Sequence, residues 1–116
     1  MSRRAQPEAA LQRALLQHLS LRGTGWLVWS TPNAGRRSPR LGAELKRQGM
    51  VPGVGDLSLL SPIGNYYELE LKSDRGRLSP AQRARKEAVL ECSGTWAVAF
   101  GLNDALEVLR EWGAVQ

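Results

Sequence analysis

The sequence predicts a small α/β domain: a mixed four-stranded sheet flanked by helices on both faces, in the order αβββαβα. Three observations predict it. Leu11, Leu15 and Leu19 recur at every fourth position near the start of the chain, the spacing of one helix face. Short stretches rich in β-branched, aromatic and aliphatic residues follow, each bounded by glycine, proline, asparagine or serine. A strong helix-start signal, Ser79 followed by Pro80, stands between the last two of these stretches.

Taken in order, PEAALQRALLQHLSLR is the first helix, with Pro7 suited to its first turn and Gly23 beyond its end. Glu8 shares a side with Leu11, Gln12 and Leu15, so it is expected to tilt toward the core. GWLVWS, Gly25 to Ser30, is a short strand. Thr31 to Gly55 reads as a long loop, with a short helix around Leu41 to Gln48. A loop of this length inside a compact domain is usually functional or mobile. DLSLLS (Asp56 to Ser61), a PIGN turn and YYELELK (Tyr66 to Lys72) supply two more strands. The helix capped by Ser79 runs toward Gly94. TWAVAFG, Thr95 to Gly101, is a continuous apolar run, as a buried central strand requires. A closing helix follows, with Asn103 as its cap and Gly113 as its terminator.

The chain of 116 residues is read as one domain, 1–116, with 42% hydrophobic and 23% charged residues, ordinary values for a globular fold. No apolar run approaches the roughly 20 residues of a membrane span. The opening MSRRAQPEAALQ lacks the apolar centre of a secretion signal. Cys92 is the only cysteine, which excludes an internal disulfide and a cysteine-rich zinc site. A cytoplasmic protein is the simplest expectation. Cys92 is read as a small packing residue, the four tryptophans as core, and the lone His18 as structural or exposed.

The net charge is +5 and the pI near 10.1, unevenly spread. Asn33 to Arg47 carries Arg36, Arg37, Arg40, Lys46 and Arg47 against Glu44, a net +4. Ser73 to Lys86 carries Arg75, Arg77, Arg83, Arg85 and Lys86 against Asp74, again +4, whereas Glu87 to the end is −4. Positive charge thus brackets the two central strands, a pattern that suits a bound polyanion.

Those strands also hold the chemistry. Side chains alternate along a strand, so Tyr67, Leu69 and Leu71 face the core while Tyr66, Glu68, Glu70 and Lys72 share the other face. A hairpin brings Asp56 to the end of that face. Carboxylates held together repel each other unless a cation compensates, and Mg²⁺ takes one or two carboxylates plus waters and phosphate oxygens. A neighbouring lysine can hold the attacking water and offset phosphate charge. A solvated strand face would also alternate charges, but it requires neither Asp56 nor the continuation GRLSPAQ. Glu68 is a second candidate partner for Lys72, although only Glu70 has the one-residue spacing.

An acidic residue followed on the next strand by acidic-x-lysine resembles the PD-(D/E)xK nuclease superfamily. VPGVGDLSLL, YYELELKSDRGRLSPAQ and PEAALQRALLQHL narrow the resemblance to its virus-type replication-repair nuclease (VRR-NUC) family, from about Glu8 to about Gly101. The resemblance implies a restriction-endonuclease-like fold and a site in which Asp56, Glu70 and the Leu71 main-chain carbonyl bind Mg²⁺ or Mn²⁺. Lys72 is then the catalytic lysine, Gln82 supports the lysine or the scissile phosphate, and Glu8 reaches the metal through water. The family commonly has proline before the aspartate; Gly55 departs from this and loosens the bend. Phosphate contacts are expected from Asn33, Arg36, Arg37 and Arg40 in the long loop and from Arg75 and Arg77 beside the catalytic strand. The implied activity is metal-dependent DNA cleavage, selective for branched DNA in the manner of a Holliday-junction resolvase and acting as a homodimer. A monomeric flap or single-strand nuclease and a non-catalytic DNA-binding module are the alternatives. The resemblance points to a phage or a prophage-bearing bacterium as the source.

Overall fold

The structure, a computed structural model, describes residues 7–31, 38–73 and 76–116. Its elements are α1 (Pro7–Arg22), β1 (Leu27–Ser30), α2 (Pro39–Arg47), β2 (Leu57–Leu60), β3 (Tyr66–Lys72), α3 (Pro80–Glu91), β4 (Thr95–Phe100) and α4 (Leu102–Trp112). The expected order holds, and the short helix of the long loop is present as α2. Ser38 caps it, accepting from the Leu41 N–H at 3.1 Å, and Pro39 occupies its first turn.

The strands lie side by side in chain order. β1 pairs antiparallel with β2, β2 antiparallel with β3, and β3 parallel with β4. A parallel pair needs a crossover, which α3 supplies. The registers Leu57↔Leu69, Leu59↔Tyr67 and Leu69↔Ala97 align one face of apolar side chains. Against it pack Leu11 and Leu15 of α1 and Ala105, Leu106 and Leu109 of α4, all buried. Tyr67 lies between Trp26 and Trp112, ring centroids 4.6 and 4.9 Å apart. The registers Ser58↔Glu68, Glu68↔Trp96 and Glu70↔Val98 define the other face, which α3 covers. There Lys86 stands 5.4 Å over the Trp96 ring, and the side chains of Gln82 and Arg85 reach the strand acids.

Several expectations change. The apolar run Thr95–Phe100 is not a central strand: β4 lies at an edge of the sheet, paired only with β3 among the described strands. Asn103 is not the cap of α4: the helix starts two residues earlier than that cap implies, at Leu102 out of Gly101 at φ 93°, with no side-chain cap. Asp104 instead accepts the Phe100 N–H at 2.8 Å, holding the end of β4 against the new helix. Gly113, at φ 86°, ends α4 as expected. Trp29 is not core but 45% exposed on the edge strand β1, and Cys92 is exposed at the end of α3. Among the described residues no helix is long and apolar enough to cross a membrane.

Candidate active site

The site begins at a bend. Gly53 has φ 83°, and a Cβ there would lie 2.3 Å from the Ala81 carbonyl oxygen, so only glycine lets this segment press against the first turn of α3. The β2–β3 ladder ends at Leu57↔Leu69, which puts Asp56 opposite Glu70 one step beyond the last pair. There the Leu71 N–H has no β2 partner, and the Asp56 carboxylate takes it at 2.7 Å. N–H and C=O of one strand residue point to the same side, so the Leu71 carbonyl is directed toward Asp56 as well.

Glu70 is 3% exposed. Its Oε2 accepts from the Gln82 amide at 2.9 Å and lies 3.8 Å from the Lys72 ammonium. Its Oε1 is buried and no hydrogen-bond donor reaches it. Burial and the Asp56 charge push the Glu70 carboxyl up to about 8, so at neutral pH without a cation it holds a proton. Burial raises Asp56 too, against the stabilising Leu71 N–H.

Gln82 is fixed by its own helix. Ser79 and Gln82 form a reciprocal capping box, the Ser79 N–H donating to Gln82 Oε1 at 2.8 Å and the Gln82 N–H to Ser79 Oγ at 3.1 Å. The box turns the amide NH₂ toward Glu70. Gln82 therefore orients the carboxylate, where the resemblance implied support of the lysine or phosphate. Lys72 is positioned by its stem: a Cβ at Gly76 would stand 3.0 Å from Lys72 Cβ and Cδ, so the Gly76 backbone lies directly against it.

Glu68 is not a solvated neighbour. It is fully buried, paired with Arg85 at 3.0 Å, and accepts from the Tyr66 hydroxyl at 2.6 Å and the Gly55 N–H at 2.6 Å. Burial opposes its charge, yet the Arg85, Tyr66 and Gly55 donors outweigh burial and hold its carboxyl below the usual range. The sequence reading missed Arg85 and Tyr66 as partners. Their signal was present: Gln82 and Arg85, three apart on one helix face, match Glu70 and Glu68, two apart on one strand face.

Glu8 is exposed rather than tilted into the core, because α1 begins at the rim of the sheet; its carboxylate accepts the Ser73 N–H at 3.2 Å, just past Lys72. Arg40 and Arg77 are exposed. Asn33, Arg36, Arg37 and Arg75 lie outside the described residues.

The donors fit a hard divalent cation. Among the described residues no three His, Cys, Asp or Glu side chains converge on one point. The set is instead two carboxylates, one with an unused buried oxygen, and a main-chain carbonyl beside them. All are oxygen donors, as Mg²⁺ or Mn²⁺ requires, and too few to exclude water and substrate oxygens.

Solved structures share this fold. One described as "VRR_NUC domain protein" superposes with a TM-score of 0.76 at 19% identity, over 95% of this chain and 96% of its own. Another, described as "VRR_NUC domain", gives 0.61 at 19% identity, over 90% and 95%. No family model and no curated protein matches the sequence.

Proposed function

We propose that this chain is a VRR-NUC nuclease, a divalent-metal-dependent endonuclease that hydrolyses DNA phosphodiester bonds. The observation that carries the reading is Glu70 Oε1, buried without a donor beside Asp56 and within the same cluster as Lys72. Two carboxyls packed together must share a proton or take a cation between them, and a cation there would also satisfy this oxygen. The fold shared with VRR_NUC domain structures supports the same reading.

Asp56, Glu70 and the Leu71 carbonyl would hold Mg²⁺ or Mn²⁺, with Glu8 acting through water. When bound, the cation supplies positive charge to the scissile phosphate and its attacking water. The chain does the rest. Gln82 keeps Glu70 in one rotamer, and the Leu71 N–H does the same for Asp56. Lys72 holds the water for in-line attack and balances charge as it accumulates on the phosphate oxygens. The exposed Arg40 and Arg77 contact backbone phosphates, together with Asn33, Arg36, Arg37 and Arg75.

The substrate class is branched DNA, recognised by shape. Cutting both strands symmetrically needs two sites, so the active form is a two-fold homodimer. The outer strand β1, with Leu27 and Trp29 63% and 45% exposed, offers an apolar edge for pairing. Sedimentation that finds only monomer across the active concentration range removes the dimer.

The test incubates branched, flap, duplex and single-stranded DNA with Mg²⁺, Mn²⁺ or Ca²⁺. Wild type is expected to cut branched DNA with Mg²⁺ or Mn²⁺ and poorly with Ca²⁺, whose looser coordination positions water badly. Asp56→Ala and Lys72→Ala should keep DNA binding and lose about 10²–10³-fold or more in rate. Wild type that binds DNA and cuts none of these substrates is a binding module, and the nuclease reading fails.

A further inference from the structure

Glu68 satisfies none of the roles given to Asp56, Glu70, Lys72 or Gln82, yet it is the most completely engaged acid in the described chain. Its Oε1 accepts from Gly55 N–H at 2.6 Å and Arg85 Nε at 3.1 Å; its Oε2 accepts from Tyr66 Oη at 2.6 Å and Arg85 Nη2 at 3.0 Å. Burying one partner of an ion pair this fully is a poor route to stability, since a well-packed apolar pair of like volume is often as good or better. What an apolar pair cannot do is grip a main-chain N–H. That N–H belongs to Gly55, the residue before Asp56.

The sequence around the grip is shaped for it. Gly55 is absent from the positive-φ glycines, so its backbone does not demand glycine. Space does: a Cβ there would lie 2.8 Å from Glu68 Cγ and 3.1 Å from the Leu69 carbonyl oxygen. Any other residue would push the Glu68 carboxylate off, and proline would in addition have no N–H to give. Asp56 is thus held from two sides, by its own carboxylate on the Leu71 N–H and by the preceding peptide on Glu68. Arg85 neutralises Glu68, so the grip adds no third negative charge beside Asp56 and Glu70.

We propose that Glu68, locked by Arg85 and Tyr66, is the positioning residue for Asp56, acting through the Gly55 N–H, and that this hydrogen bond fixes the bend. The inference rests on the metal-site reading above. Partners one layer out from metal ligands commonly change metal affinity by about 10–100-fold when altered, and that is the size of effect expected.

The experiment measures Mn²⁺ binding by calorimetry, without DNA, well below each variant's melting temperature. It uses wild type, Glu68→Gln, Gly55→Ala, Arg85→Met, Arg85→Lys, Lys72→Ala and Asp56→Ala. Amide spectra of the metal-free proteins report the Gly55 and Leu71 N–H resonances. Glu68→Gln, Gly55→Ala and Arg85→Met should weaken Mn²⁺ by about tenfold or more, with the Gly55 and Leu71 resonances moving upfield together. Arg85→Lys should recover part of the loss, and Lys72→Ala should bind Mn²⁺ at least as well as wild type. Lowered melting temperature with Mn²⁺ affinity within twofold of wild type in Glu68→Gln and Gly55→Ala overturns the proposal, because a purely structural role predicts that pattern. Failure of the site reading looks different: wild type then binds no Mn²⁺, or Asp56→Ala binds it equally well.

Discussion

At the scale of single residues, the carboxyl of Glu70 makes the sharpest demand. Burial and Asp56 lift it to about 8 from 4.5, so without metal the folded protein keeps a proton that the unfolded chain releases. A raised carboxyl stabilises the fold at low pH, and that contribution is lost as pH climbs from about 4.5 through about 8. The melting temperature in EDTA should therefore fall across this window. Glu70→Gln should flatten the fall and exceed wild type at pH 8 and above, by an amount of order a few kcal/mol. A melting profile of wild type and Glu70→Gln running parallel with pH would contradict it. Mn²⁺ bound as proposed would displace the same proton, so calorimetry at pH 7 in buffers of different ionisation enthalpy should find proton release on binding, diminishing above pH 8. The gathering of Asp56, Glu70 and Lys72 was legible in the sequence because alternation and one-residue spacing are local. The Glu68–Arg85 pair left only an indirect signal, a match of spacings between a helix face and a strand face 17 residues apart, which tells nothing until the two faces are known to pack together.

At the scale of elements, α3 serves two ends with one residue. Ser79→Ala removes the cap alone and should cost about 1 kcal/mol of stability, with the rate of cleavage little changed. Gln82→Ala removes the box and the tether on Glu70, so it should lower both stability and rate. Equal rates in the two variants, measured below their melting transitions, would refute a site role for Gln82. β3 and the start of α3 were predicted with the bounds observed, since strong alternation and a Ser-Pro cap are signals within a few residues. Asn103 misled for the same reason in reverse: it is a good cap by type, but Gly101 turns the chain before it and Asp104 takes the bond. Glu8 was assigned inward from helical spacing, which says nothing about where the helix overhangs the sheet.

At the scale of the whole molecule, one face of the sheet is packed with leucines and the other gathers the acids with Lys72, Gln82 and Arg85. Leu15, Leu57, Leu69 and Leu109 are fully buried between the sheet and the α1–α4 layer. Leu69→Ala, with its side chain pointing away from the acids, should cost about 2–5 kcal/mol, seen in denaturant unfolding. DNA binding should weaken steeply with salt, and Arg40→Ala or Arg77→Ala should each reduce the salt slope by roughly one unit. The fold class was readable because periodicity and turn residues dictate it; the mutual grip of strand acids and helix partners required the faces to be assembled first.

The outward Trp29 has a practical outcome. Trp26 and Trp112 flank Tyr67 and Trp96 is shut in, whereas Trp29 meets solvent 6.5 Å from the Tyr66 ring. Iodide should quench its emission ahead of the others, giving a label-free optical gauge of when the outer strand becomes covered.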